Sequence, residues 1–571
     1  MPRRIPIALI ASVVALTWAS ATQAAAATLR VCPHGCAYRQ VADAVAAAHA
    51  GDSVSVAGGT YRGGFAITKN LAVNGAAAGQ TTITGGGPVI TVGTLDASSE
   101  PTVTIRGVTI TGGVAHSAFD TTFEALGGGV FIPPAAAGAV PTNLTIIGSA
   151  ITGNVAAPSS EVDSGLPCGP SGECAFAHAG GGGIDSWGDL TVRDTLVADN
   201  QASGPFTSDA DGGGIYSQQG TLTVDHTVVT GNRSLAGIPD GRFAEGAGIM
   251  VDNFFAPQGT CVSPQPACQF VLRDSVVNGN ASRLTSALPL LSTDGNFVLL
   301  ANAGGIHVGD NIPTTVERST ISDNAATSSD PDGEASSIDA GMIVGASPLT
   351  MRDSQVDRNL TATTALTVGD VAPVGSALEV DGSGTIVDTS IDENVATTVS
   401  PGGAASTAGA LIVLDTDLLT VKNSTISRNL TLARSNTGSA TVLGGGVFNN
   451  TELRMDHVVV SQNTARADGP AGEAQGGGIW NGALIAGPPT LTLEKSSVVG
   501  NVLEASPGIP RQGGGLFTTF PVVRLDTLIA GNRPDQCAGC ASGPAAATVA
   551  SSHRRRAHRR RALRRPLPEQ L

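Results

Sequence analysis

The sequence predicts an all-β fold, a single-stranded right-handed parallel β-helix with three short strands per coil and a short capping helix at its N-terminal end. Three observations predict it. One sentence-like motif recurs down the chain, an Asn closes each copy at intervals of 34–35 residues in the middle and 31–48 outside it, and the composition is poor in the aromatics that fill ordinary globular cores. Among 571 residues there are 74 Gly but only 3 Trp and 3 Tyr. Such a chain suits narrow, repetitive coils packed with Val, Ile, Thr and Ala.

The chain begins with a segment of secretory type. Arg3 and Arg4 precede an apolar stretch ending at Trp18, and small residues at 19–27 offer cleavage sites of the Ala-x-Ala kind. Residues 1–27 are therefore expected to be a signal peptide, and the mature protein to be secreted or held at the cell surface, with no transmembrane span. Residues 28–60 read as an N-terminal cap and entry segment. Within it, Val41, Ala44, Val45 and Ala48 fall at helical spacing, so a short amphipathic helix is expected to cover the open end of the first coil.

Residues 61–540 carry the repeat. Each copy opens on Gly-Gly-Gly-Ile or a variant, as at 212–215, 444–447 and 476–479. A short Leu-Thr-Val run follows, and then a segment of the Asp-Ser-x-Val-x-x-Asn kind. The closing residues are Asn154, Asn200, Asn232, Asn280, Asn324, Asn359, Asn394, Asn429, Asn463, Asn501 and Asn532. A fixed motif with elastic spacing implies a constant structural rung with insertions at set corners. Asn tolerates a left-handed turn, and its amide can bond to the Asn one coil away, so these residues are expected to form an amide ladder along the rod.

The eight cysteines fall into four close pairs: Cys32 with Cys36, Cys168 with Cys174, Cys261 with Cys268, and Cys537 with Cys540. In an exported chain local pairs read as disulfides stapling short loops. A metal or redox site at the Cys-x-x-Cys of 537–540 is the rival reading. The net charge is −15. Setting aside the eight Arg and one Glu of 551–571 and the two leader Arg leaves 22 basic against 46 acidic residues, a body of −24. Such a body repels nucleic acid. The Arg-rich segment 541–571 is expected to be a disordered tail able to contact anionic wall polymer.

The entry segment carries a resemblance. Residues 44–48, Gly-Asp-Ser-Val at 51–54, Gly-Thr-Tyr at 59–61 and the run 67–75 look like the opening of pectin-lyase-like β-helix proteins. The later Gly-Gly-Gly-Ile and Ile-x-x-Asn-x-Ala copies resemble repeats of polymorphic outer-membrane proteins and bacterial surface β-helix proteins. The resemblance spans about residues 30–540 and implies the fold, whereas that fold hosts lyases, hydrolases, epimerases, adhesins and inert rods. Its enzymes act on acidic polysaccharides, with an Arg or Lys base and calcium-holding carboxylates in the lyases and clustered Asp in the hydrolases. None of Asn-Thr-Asp, Asp-Asp, Gly-His-Gly or Arg-Ile-Lys occurs. Asp225-His226 and Asp456-His457 look faintly like the Asp-His of pectate lyases, yet both fall in the same repeat slot as Asp194-Thr195.

No catalytic residue follows from the sequence, and no cofactor is required. Calcium is the one candidate, at Asp209 and Asp211 and at Asp330, Asp332 and Glu334, where carboxylates alternate before or around a Gly in expected loops. Loops after Asn (155–179, 281–302, 325–338) and between strands (252–270, 483–490) should line up along the rod. Trp187, Phe254, Phe255 and Trp480 could face sugars there, or pack in the core. The function expected from sequence is a non-catalytic exported surface or adhesion-type protein that presents loops, with a polysaccharide or cell-surface glycan as the candidate partner. The alternatives are a lyase or hydrolase on an acidic polysaccharide, and a mechanical or protective rod.

Overall fold

The computed structural model describes residues 26–540 apart from 120–122, 161, 164–174, 205–206, 208, 238–242, 254–267, 286–298, 331–334, 366–374, 415–417 and 485–487. Strands of successive coils pair in parallel and in register, so equivalent residues stack directly over one another. Sheet I holds 15 strands, from Thr28–Val31 to Val522–Leu525. Sheet II holds 14, from Gly59–Arg62 to Leu528–Ala530. Sheet V holds 14, from Phe65–Ile67 to Cys537–Ala538. The molecule is a right-handed parallel β-helix. Fifteen strands about 4.8 Å apart make a rod of roughly 67 Å.

Three strands per coil hold only at the two ends of the rod, in the first coils and in the last, Val522–Leu525, Leu528–Ala530 and Cys537–Ala538. From Thr102 onward the segment after Asn folds into strands of its own rather than into loops. Sheet III gathers 11 of them, from Val114–Ala115 to Val502–Ala505. Sheet IV comes in two runs, six strands from Glu124–Leu126 to Ala335–Ile338 and four from Ala405–Ala408 to Arg511–Gln512. One full coil reads Asp189–Arg193, Leu196–Ala198, Gln201–Ala202, Asp209–Asp211 and Ile215–Ser217, in sheets I to V. The polar composition of these extra segments concealed them, because their inward row is Ala rather than Val or Ile. Ala125, Ala179, Ala210, Ala244 and Ala301 stack between sheets III and IV.

The main core is the column of Val, Ile and Leu enclosed by sheets I, II and V. Its N-terminal end is closed by helix α1 (Val41–Ala47), which buries Val41, Ala44 and Val45. The turn from sheet I to sheet II uses a left-handed residue followed by Ser or Thr. Asp194, His226, Asp274, Arg318 and Asp353 all have φ near 50°. The next backbone N–H donates to the hydroxyl one coil on, as from Thr227 to Ser275 and from Ser275 to Ser319.

The closing Asn residues are buried and linked. In Asn280 the backbone N–H and Nδ2 both donate to Asn324 Oδ1, at 3.1 and 3.0 Å, and Nδ2 also donates to Val229 O. Its own Oδ1 accepts from Asn232 in the same way. The row runs from Asn154, whose Oδ1 accepts from Gly113, to Asn532, which donates to Gln536 Oε1.

Candidate functional site: the seam between sheets IV and V

Strands of sheet V alternate as strands must. The first residue of each enters the main core, and the second points out of it. The two runs of sheet IV lie over much of that outward row, and all of it but Phe131 and His307 is buried. Read along the register, the row is Phe131, Asp185, Tyr216, Met250, His307, Ile343, Glu379, Ile412, Phe448, Trp480 and Phe517. The C-terminal part is apolar. Phe448 and Trp480 stack with ring centroids 4.5 Å apart, and Trp480 Nε1 donates to Gln475 Oε1. Asp185, Tyr216, His307 and Glu379 all fall before residue 380.

Sheet IV adds Asp211, Glu245 and Asn302, stacked in one row, and His178 beside it. His178 Nε2 lies 3.3 Å from Asp211 Oδ2, and its ring meets Tyr216 edge-on. Gln218 Nε2 donates to Asp185 Oδ2 at 3.1 Å. Asn302 Nδ2 donates to Glu245 Oε1 at 2.7 Å, and His307 Nδ1 lies 3.4 Å from Glu245 Oε2. Asp211 Oδ1, Gln218 Oε1 and Asn302 Oδ1 are buried and accept no hydrogen bond. Gly180 owes its place to crowding, since a methyl there would sit 2.8 Å from Tyr216 and 3.2 Å from Asp185.

Burial decides the charges. Desolvation pushes the Asp185 carboxyl up to about 7, against the pull of Gln218 and the His178 charge. Asp211 is driven well above the carboxylate range by burial, with Glu245 and Asp252 adding to it. The Tyr216 hydroxyl is raised by the same burial and by Asp211. Burial alone acts to lower His307, but the charge and hydrogen bond of Glu245, with Asp252 and Asp211 behind it, outweigh that and push it up to about 9. The seam thus holds neutral carboxyls beside an imidazolium–carboxylate pair. No Arg or Lys forms an ion pair with any of these groups among the described residues.

The sequence-predicted candidates fare differently. Asp209 and Asp211 stand on a strand, not in a loop, with Asp211 turned into the seam. Asp330 ends a sheet III strand, and Asp332 and Glu334 lie outside the described residues. Trp187 and Trp480 are 8% and 4% exposed, so their rings are committed to packing rather than turned to solvent. Phe254 and Phe255 lie outside the described residues. His226, rather than Asp225, shares the left-handed slot of Asp194, and it pairs with Asp225 on the surface. Asp225, His226 and Asp274 come within metal-ligand reach of one another, but Asp274 is already held by both guanidinium arms of Arg318.

Disulfides join Cys32 to Cys36 and Cys537 to Cys540. Cys268 is also disulfide-bonded, whereas Cys168, Cys174 and Cys261 lie outside the described residues. The leader and the Arg-rich tail lie outside them too. Among the described residues no helix is long and apolar enough to cross a membrane.

No family model matches the chain. No curated protein matches it either. Among solved structures, the A-module of the mannuronan C-5 epimerase AlgE6 from Azotobacter vinelandii aligns over 82% of this chain and 93% of that one, at 14% identity and a TM-score of 0.33.

Proposed function

We propose that this protein is an exported β-helix protein, of the pectin-lyase-like kind that its entry segment resembles, whose IV–V seam carries out acid–base chemistry on a polysaccharide. One observation carries the reading. A single structural slot is filled by Ile, Phe and Trp in the later coils, and by Asp, Tyr and His where sheet IV supplies Asp211, Glu245 and His178. The later coils prove that the fold does not need polarity there. Buried ionisable groups usually cost stability relative to apolar ones, so their concentration in one stretch signals a task. The sequence alone favoured a non-catalytic rod because no coil gathers catalytic groups; the seam gathers them from four coils.

The proton inventory suits glycoside cleavage. A carboxyl still neutral near pH 7, Asp185 or Asp211, is placed to act as general acid, and the Glu245 carboxylate, oriented by Asn302 and His307, as its charged counterpart. The carboxyls of Asp185, Asp211 and Glu245, with no Arg or Lys ion pair to them among the described residues, favour an uncharged glycan over a polyuronate, whose carboxylates they would repel. Export rests on the leader composition and the disulfides. Calcium at Asp209 and Asp211 belongs to the polyuronate alternative, where a cation would have to neutralise the seam.

The test is release of reducing ends from neutral glucans, chitin-type polymers, pectate and alginate, each with calcium and with chelator. Turnover of a neutral glycan, lost by at least 100-fold in Glu245→Gln while the variant remains folded, is expected. Turnover only on a polyuronate with calcium would establish the lyase reading. A second reading, a surface or adhesion-type rod, is favoured by the near-complete burial of Asp185, Asp211 and Tyr216. It predicts glycan binding without turnover, unaffected by Glu245→Gln.

A further inference from the structure

The last coil turns three outward slots apolar at once. Val523, Leu525 and Leu528 are 52%, 50% and 57% exposed. One coil earlier the same slots hold Thr492, Glu494 and Ser497, and two coils earlier Arg454, Asp456 and Val459. Val523 and Leu525 share the outer face of the last strand of sheet I, and Leu528 opens the last strand of sheet II just across the corner. Other exposed aliphatics, such as Val140, Leu360 and Leu484, stand singly along the rod, which is ordinary for a protein surface.

Charge changes at the same end. Arg524 takes the inward slot that Met455 and Leu493 fill in the two coils before it, so the core column ends on a cation. Arg511, Arg524 and Arg533 are all exposed and form no ion pair among the described residues. Against them the last coil sets Asp526 and Asp535. The chain leaves this coil at Cys540, whose disulfide with Cys537 packs on the end of the core. The stretch that follows, 541–571, carries eight Arg and one Glu, whereas the body carries −24. Exposed aliphatics and the strongest positive charge of the sequence therefore meet at one end of an acidic rod.

We propose that this end of the rod docks on an anionic lipid surface, with the Arg cluster on the headgroups and Val523, Leu525 and Leu528 entering the acyl boundary. Apolar insertion and a polybasic segment together supply the two signals that hold a protein at a membrane surface. A hydrophilic wall polymer would satisfy the Arg side chains and gain nothing from three exposed aliphatics. A second copy stacked end to end would bring Arg524 against its own like charge in a desolvated contact. The sign of the body sets the orientation. An acidic rod lying flat is repelled by anionic headgroups, so the protein stands on its C-terminal coil, with helix α1 outermost and the IV–V seam held clear of the surface.

The experiment is co-sedimentation of the secreted protein, full length through Leu571, with vesicles of phosphatidylcholine alone and of phosphatidylcholine with phosphatidylglycerol. One variant combines Val523→Thr, Leu525→Gln and Leu528→Ser, which makes the slots as polar as those one coil earlier and leaves the charge unchanged. A second replaces the eight Arg of 551–571 by Gln and does not touch the folded body. The native protein should bind the vesicles that contain phosphatidylglycerol, and release them at about 1 M salt. The first variant should bind them about 10-fold more weakly or more, since its half-exposed aliphatics no longer leave water, and the second should lose binding. Binding unchanged in either variant overturns the proposal; unchanged in the first, it assigns the Arg cluster to polyanions in general. So does a dimer of the free protein that the first variant dissociates, because a second copy would then cover the patch.

Discussion

A single Asn in this rod makes more bonds than its size suggests. Asn280 donates three hydrogen bonds and accepts two through one buried amide and one backbone N–H. Asn280→Ala leaves two donors of Asn232 without partners, and takes from Asn324 Oδ1 and Val229 O the hydrogen bonds that Asn280 Nδ2 gave them. At about 1–3 kcal/mol for each buried group left unsatisfied, the loss is expected to be about 3 kcal/mol or more in urea unfolding, and Asn280→Asp should not recover it. His307 offers the opposite test, of charge. Its folded value of about 9 exceeds the unfolded 6.5, so its stabilising pair with Glu245 is complete below pH 6.5 and lost as pH rises through 9. His307→Gln should therefore flatten the alkaline limb of the melting-temperature profile. At this scale the Asn row was plain in the sequence, because an invariant residue at 34–35 spacing has a structural cause. His307 and Asp185 were hidden, since each is one polar residue inside a short apolar run. The signal was there in principle: the residue after each first core position of sheet V reads Phe, Asp, Tyr, Met, His, Ile, Glu, Ile, and only then Phe, Trp, Phe.

Strands and turns set how neighbouring coils hold together on the outside. Arg318 pairs with Asp274, Arg352 with Glu317, Arg358 with Asp323 and Arg428 with Glu393, each reaching back one coil. These side chains are about half exposed on the Arg side, so each pair contributes under about 1 kcal/mol and is screened by salt. Arg352→Ala is expected to lower stability by less than 1 kcal/mol in a chemical melt at 50 mM salt, with little left of the difference at 1 M. The fold was legible through strands I, II and V, whose Val and Ile alternate visibly. Strands III and IV were read as loops because Ala, Ser and Thr dominate them, and a strand whose inward row is Ala carries almost no periodic signal. The seam depends on sheet IV, so missing that sheet meant missing the site.

At the scale of the whole molecule the rod is closed at one end by helix α1 and is built by stacking alone. Among the described residues the strands pair between successive coils, so stability is a sum of coil and interface contributions rather than of one global core. Along the ladder each Asn donates to the Asn one coil on and accepts from the Asn one coil back. The row therefore has no centre, and each rung is interchangeable with the next. Excising residues 325–359, one coil from the position after one Asn through the next, leaves Asn324 facing Asn394 with every ladder bond able to re-form. The shortened protein should fold, and small-angle scattering should find it shorter by about 4.8 Å. Removing half that number should yield aggregate. A molecule of this kind can change length by copying or losing whole turns, and reach becomes a heritable quantity that varies in steps without redesign of the interior.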